Sequence, residues 1–264
     1  MKIAIVIGAS SGIGAEIAKQ LQDKRAVALG GTRELWLIAR RAELLALRAA
    51  EMQGPLETRV FPGDVIDTMF LKEIAGELES GQHEISWLVL SAGTGRYGDF
   101  EETGTGEALG CIDVNCRSLT AATAVLAPFF SKDARVVILA SGASFFPQPG
   151  FAVYAATKAY ALSFTRALGK ELYPKGVSVT AVCPGPCDTE FIRNASDGKP
   201  VPKVKQLFMT TPDKVARRAV SAAIKRRKVC CPTFGMKAAR AGRHVLPDAV
   251  AIEFFAAGSK NGEK

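Results

Sequence analysis

Ile3-Ala4-Ile5-Val6-Ile7-Gly8-Ala9-Ser10-Ser11-Gly12-Ile13-Gly14 is the stretch on which the fold turns. Its first five residues are a continuous apolar run, the pattern of a strand buried on both faces, as in parallel sheets. The glycines that follow permit a tight turn, and helical periodicity then runs over 12–24. Strand, glycine turn and helix together make an anion site. The free N–H groups and positive dipole end of the helix face whatever phosphate the glycines allow to approach. Gly8, Ser10, Ser11, Gly12, Ile13 and Gly14 are therefore candidate dinucleotide-binding residues. A glycine triplet alone also serves as an ordinary turn, so the reading rests on its place between strand and helix.

Outward from this stretch the same alternation repeats. Apolar runs at 35–39, 58–61, 87–90, 136–140, 177–182 and 228–231 read as further strands. Segments 41–53, 68–80, 105–130 and 150–173 carry helical periodicity between them. Strands that alternate with helices predict an α/β, doubly wound fold: about seven parallel strands flanked by helices, with the ligand outside their carboxyl ends. No long polar linker interrupts the pattern, which predicts a single domain over 1–264. Segment 186–211 lacks periodicity and reads as a long substrate-side loop with room for short helices, Pro200 and Pro202 within it. A helix resumes over 212–227 with Thr211 as N-cap and Pro212 at its first position. Residues 232–264 form a basic C-terminal extension.

Composition narrows the function classes. The net charge of +8 suits an anionic partner, such as a phosphorylated cofactor, or simply a basic surface. Nothing beyond charge points to nucleic acid. The cysteines at 111, 116, 183, 187, 230 and 231 make no CxxC pair and no zinc spacing. No metal is expected, and reduced thiols suit a cytoplasmic protein. Met1 leads straight into the first strand with no signal-peptide pattern, and no apolar stretch reaches the roughly 20 residues that a membrane span requires. A soluble, unexported protein is expected. Lys225-Arg226-Arg227-Lys228, with Lys237, Arg240 and Arg243 beyond, precedes the apolar segment 249–255. That region reads as a solvated helix end with a segment packed on the core or on a partner subunit. A peripheral membrane contact is the alternative.

The second strand ends in Leu37-Ile38-Ala39-Arg40-Arg41. An NAD site places a carboxylate there for the ribose hydroxyls, whereas a 2′-phosphate calls for guanidinium. Ala39 at the acid position, followed by Arg40 and Arg41, predicts NADP(H). The stretch 25–33, with Gly30-Gly31, lengthens the first crossover.

Tyr154 and Lys158 are four residues apart in a helical pattern, so phenol and ammonium share a face. A phenol with pKa near about 10 is mismatched to proton transfer at neutral pH, and a neighbouring ammonium favours its ionised form. Tyr154 and Lys158 are thus a candidate pair for exchanging a proton with an alcohol or carbonyl oxygen.

With the Gly-x3-Gly-x-Gly spacing of Gly8, Gly12 and Gly14, this set resembles the short-chain dehydrogenase/reductase family. Ser141, thirteen residues before Tyr154, stands at that family's catalytic serine offset. Asn115, in Asp113-Val114-Asn115, matches its structural and proton-relay asparagine. Pro184-Gly185-Pro186-Cys187-Asp188-Thr189 is similar to its Pro-Gly-x3-Thr segment, whose threonine contacts the nicotinamide carboxamide. In Gly63-Asp64-Val65, Asp64 and Val65 stand where members meet the adenine, although Asp64 reads equally as a helix cap. Two positions depart from the family pattern. Ile7 replaces its usual threonine, and Leu90-Ser91-Ala92-Gly93 replaces Asn-Asn-Ala-Gly. Ala92 and Gly93 still permit close backbone approach to the cofactor.

The resemblance implies a Rossmann fold, a homodimer or homotetramer, and interconversion of a secondary alcohol and a ketone with NADP(H). By the same resemblance Tyr154 donates the proton, Ser141 hydrogen-bonds the carbonyl oxygen, and Lys158 holds the ribose and lowers the Tyr154 pKa. Loops 94–100, 141–151 and the segment after Asp188 should wall the substrate site. Phe145, Phe146, Phe151, Phe191, Ile192, Leu207 and Phe208 give them an apolar character. That character suits a bulky carbonyl compound such as a hydroxysteroid or bile acid. The alternatives are a 3-oxoacyl or 3-keto-lipid substrate, or a non-catalytic NADP(H)-sensing protein.

Overall fold

The computed structural model describes residues 1–23, 30–197 and 209–260. β1 (Lys2–Ile7), β2 (Thr32–Ala39), β3 (Glu57–Pro62), β4 (Glu84–Leu90), β5 (Phe130–Leu139), β6 (Ser178–Val182) and β7 (Val229–Cys230) form one sheet. Every pairing is parallel, in the order β3-β2-β1-β4-β5-β6-β7. This is the Rossmann-like architecture predicted, with the strand order reversing between β1 and β4. In register, Ile7 lies beside Ile38 and Leu90, Leu90 beside Ile138, and Leu139 beside Val182. The loops that leave these ends therefore meet at one edge, at the switch point where open α/β sheets bind ligands.

The first strand divides its side chains between two apolar layers. Ile3, Ile5 and Ile7 enter one core, and Ala4 and Val6 the other. α1 (Gly12–Leu21), α2 (Ala42–Ala50) and α8 (Pro212–Ile224) cover the second layer through Ile17, Leu21, Leu45, Val215 and Ala219. α3 (Thr68–Ser80), α5 (Ser118–Leu126) and α6 (Ala152–Glu171) cover the first through Leu71, Ile74, Leu119 and Leu162.

The segment expected as one helix over 105–130 is divided. α4 (Thr105–Ile112) passes into a π-helical turn at Asp113–Arg117 and then into α5. Pro128 falls in the short 3-10 turn Ala127–Phe129, and β5 starts at Phe130, earlier than its apolar run at 136–140 suggests. Thr211 stands at the N-cap position of α8 without a side-chain capping bond. Within the 186–211 segment, α7 (Glu190–Ser196) is the helical part. The C-terminal extension folds as α9 (Phe234–Gly242) and α10 (Asp248–Lys260). Among the described residues no helix is long and apolar enough to cross a membrane. The cysteines at the six sequence positions are free thiols.

Candidate active site

The glycine turn is shaped by contacts that exclude side chains. Gly8 has φ +84°, and a β-carbon there would lie 2.6 Å from the Ala92 backbone nitrogen. A β-carbon on Gly14 would collide with the Gly8 carbonyl. Gly12, at φ +58°, opens α1 and faces the Thr189 side chain. The phosphate-facing end of α1, the Ala92-Gly93 backbone and the β6 loop are thereby drawn into one cleft.

Ser10, Ser11, Gly12 and Ile13 line a cavity of about 1060 Å³, as do Arg40, Arg41, Asp64, Val65, Ala92, Gly93, Pro184, Gly185 and Thr189. Gly8, Ser141, Tyr154 and Lys158 also line it. Gly14 lies beneath this wall, on the Gly8 carbonyl. The side-chain-free turn, the helix end above it and the cavity's depth fit a dinucleotide.

At the outer end of the cleft Arg40 is largely exposed and reaches Asp64 only at 4.0 Å. Asp64 does not cap a helix. Its Oδ1 accepts from the Ile66 N–H at 3.0 Å, and Asp67 caps α3 instead. Arg41 is more engaged. Nη2 donates to Ser10 Oγ and Ser11 Oγ at 3.2 and 3.1 Å, and the guanidinium makes a two-pronged pair with Glu190 at 2.6 and 2.8 Å.

At the inner end, Tyr154 and Lys158 lie on buried turns of α6, and Ser141, two residues beyond the end of β5, caps the 3-10 turn Gly142–Phe145 by accepting from the Ala143 N–H at 3.1 Å. A hydrogen bond with Ser141 pulls the Tyr154 pKa down, but burial is the larger effect and pushes it up to about 12. Burial likewise lowers Lys158 to about 8. The Lys158 Nζ donates to the Leu139 carbonyl at 2.9 Å and stands 5.7 Å from the Tyr154 ring centre. The expectation that the ammonium lowers the phenol's pKa is therefore corrected. Desolvation of the ring outweighs a cation that is itself destabilised by burial.

Asn115 is only 2% exposed and sits in the π-helical turn. Its Oδ1 accepts from Thr94 N at 3.0 Å, and its Nδ2 donates to Thr94 O at 2.8 Å and Thr157 Oγ1 at 2.9 Å. It thus ties the loop after β4 to α6. A β-carbon on Gly93 would lie 3.2 Å from both Asn115 Oδ1 and Lys158 Nζ. A small cavity of about 10 Å³ is lined by Asn115, Ser118 and Lys158, about the space of one water.

Two contributors, Gly95 and Tyr97, were not singled out in the sequence. Gly95 makes room for the Tyr154 ring, since a β-carbon there would lie 2.5 Å from its Cδ2. Tyr97, Phe151, Tyr154 and Phe191 form an aromatic series with successive ring centres 4.0, 4.2 and 5.3 Å apart. Phe146 and Ile192 line the cavity as expected, whereas Phe145 packs into the sheet core. Leu207 and Phe208 lie outside the described residues. The C-terminal extension, whose apolar segment the sequence reads as packed on the core or on a partner subunit, packs on this chain's own cavity, with Met236, Ala239, Leu246, Val250, Phe254 and Phe255 in its wall. Met236 packs against Gly142 and Gly185, and the Phe255 ring lies 6.4 Å from that of Phe146. The helical spacing of Met236 and Ala239 was a legible signal of a packed face; the place where that face docks was not. Glu190 carries no local signal at all.

A fold with this switch-point cleft and a Ser–Tyr–Lys floor defines a nicotinamide-dependent oxidoreductase class. The family described as short chain dehydrogenase matches residues 2–200, and the chain belongs to that family. The chain is similar to a 2-dehydro-3-deoxy-L-rhamnonate dehydrogenase (NAD(+)) of Sphingomonas sp., 31% identical over 72% of this chain and 74% of the relative. It is similar to an 11-beta-hydroxysteroid dehydrogenase-like protein of Arabidopsis thaliana, 31% identical over 72% of this chain and 60% of the relative. A solved short-chain dehydrogenase of Sphingobium yanoikuyae in complex with NADPH superposes with a TM-score of 0.75. It is 26% identical, over 94% of this chain and 98% of that one. The chain is thus an oxidoreductase of the short-chain dehydrogenase family.

Proposed function

We propose that the chain reduces a bulky apolar ketone to a secondary alcohol, reversibly, with NADP(H), and that Ser141, Tyr154, Lys158 and Asn115 do the proton work. The observation that carries this reading is the buried Tyr154 phenol, which lines one cavity together with Ser141, Lys158, Arg40 and Arg41.

The dinucleotide, when bound, supplies or accepts the hydride. Gly8, Ser10, Ser11, Gly12, Ile13 and Gly14 would hold its pyrophosphate, with Ala92 and Gly93 against its inner half and Thr189 closing from the β6 side. Pro184 and Gly185 would back the nicotinamide end, Asp64 and Val65 the adenine end, and Arg40 or Arg41 a 2′-phosphate. The relatives' names divide between NAD(+) and NADPH, so the cofactor reading rests on the two arginines and on Ala39 in the acid position.

Tyr154 is a neutral phenol at neutral pH and gives its proton to the carbonyl oxygen. Ser141 donates a hydrogen bond to the same oxygen as negative charge develops, a stabilisation concentrated in the transition state. Lys158 holds the ribose hydroxyls, and the small cavity beside Asn115 gives a water a place to return the proton. Substrate size and polarity follow from the wall of Phe146, Phe151, Phe191, Leu246, Phe254 and Phe255. Such a lining favours a hydroxysteroid or bile-acid ketone over polyols, with 3-oxoacyl and 3-keto-lipid ketones as the second substrate class.

The test is nicotinamide absorbance with NADP(H) and NAD(H) across steroid, bile-acid, 3-oxoacyl and small-ketone substrates, with Tyr154→Phe beside the wild type. NADPH-linked turnover on one bulky class is expected, lost by about a thousandfold in Tyr154→Phe. Near-normal turnover in that variant would overturn the proton role. Silence across the panel with NADPH still bound would favour a cofactor-sensing protein instead.

A further inference from the structure

The Glu190 carboxylate stands where an anion of the cofactor would stand. Three groups meet at the outer rim of the cleft: the Arg41 guanidinium and the hydroxyls of Ser10 and Ser11, whose oxygens accept from Arg41 Nη2 at 3.2 and 3.1 Å. Ser11 occupies the N-cap position of α1 without capping it, and α1 carries no acidic residue in its first turn. The anion that satisfies this cluster comes from the far side of the cleft. Glu190, 149 residues along the chain, receives both prongs of Arg41 at 2.6 and 2.8 Å. The Arg41 guanidinium, with a lesser contribution from Ser11, holds its carboxyl below the usual carboxylate range. Among the described residues, Arg40 beside it pairs with Asp64, at 4.0 Å.

A carboxylate and a phosphate present a guanidinium with the same paired acceptors, so the two compete for one fork. We infer that Glu190 is a built-in competitor for the cofactor's 2′-phosphate: it occupies Arg41 and must be displaced, or must leave the phosphate to Arg40, when NADP(H) binds. NAD(H), which lacks that phosphate, leaves the pair intact. Glu190 is thus a specificity-determining residue that weakens the 2′-phosphate preference set by Arg40 and Arg41. The inference rests on the reading of those arginines as the 2′-phosphate site.

The experiment is calorimetric binding of 2′,5′-ADP and 5′-AMP to the full chain. Glu190→Gln keeps the shape without the charge, Glu190→Ala removes the competitor, and Arg41→Ala removes the fork. Thermal unfolding checks that each variant is folded. The wild type should prefer 2′,5′-ADP. Both Glu190 variants should tighten 2′,5′-ADP by about three- to tenfold and leave 5′-AMP unchanged, the size expected for freeing a half-exposed paired guanidinium. A wild-type preference that both Glu190 variants leave unchanged or reduce would overturn the competitor role and spare the NADP(H) reading. A wild type with no preference that gains one in Glu190→Gln would support the competitor and overturn the NADP(H) preference. No preference in any variant would overturn both.

Discussion

At Tyr154 two effects oppose each other: burial raises the pKa, the hydrogen bond with Ser141 lowers it, and burial prevails at about 12. The phenol therefore holds its proton throughout the neutral range and is set as an acid. Lys158 titrates nearer the working range, at about 8, because burial disfavours its ammonium. For a cation with a lowered pKa, charge is present below that value and lost as pH rises through it. The expected kcat/KM for ketone reduction is thus level below about 8 and falls above it. A profile still level well above that point, while Tyr154 remains protonated, would show that the Lys158 charge is not needed. Asn115 acts differently, through position: its amide bonds both backbone groups of Thr94 and the Thr157 hydroxyl. Its helical register alone did not define those partners.

Among the elements, α9 and α10 change the picture of the substrate site most. The sequence reads their apolar segment as packed on the core or on a partner subunit; the structure places it at the cavity, where Met236 packs over Gly142 and Gly185 and Phe255 faces Phe146. Replacing Phe255 by alanine removes apolar wall without touching the glycine turn. The expected result is a roughly tenfold fall in kcat/KM for a steroid-sized ketone relative to a small one, the scale of a lost apolar contact in a pocket. Binding of 2′,5′-ADP should not change. Steady-state rates on the two ketones decide it, and an unchanged ratio would remove α10 from substrate selection. The π-helical turn at Asp113–Arg117 is the other element that departs from expectation. The helical periodicity over 105–130 gave no sign of it, because one widened turn leaves the apolar pattern on either side intact.

Over the whole molecule, ligand binding and stability are linked, since a cofactor that binds only the folded chain stabilises it by mass action. At about a hundredfold excess over Kd the gain is about 2.7 kcal/mol, which in a chain of this size raises Tm by roughly 5–10 °C. A thermal melt with NADPH should show such a rise. NADH at the same concentration should give a smaller one if Arg40 and Arg41 meet a 2′-phosphate, and equal rises would count against that preference.

The inner strands β1 and β4 were legible in advance because burial on both faces writes itself into apolar runs, and because the turn after β1 needs glycines that no other residue replaces. The same locality made Tyr154 and Lys158 readable as neighbours four residues apart. The short β7, the early start of β5 and the break in the 105–130 helix were less so, since sheet register and helix interruption depend on what packs from elsewhere.

By itself, then, the sequence determined the alternating elements, the phosphate-facing turn and the order of the site residues, all properties settled within a few residues of chain. The tertiary structure alone decided the protonation of Tyr154, the pairing of Arg41 with Glu190 across 149 residues, and the placing of α9 and α10 over the cavity. Each of these depends on which distant segments exclude water from the same space, and local pattern carries no record of that.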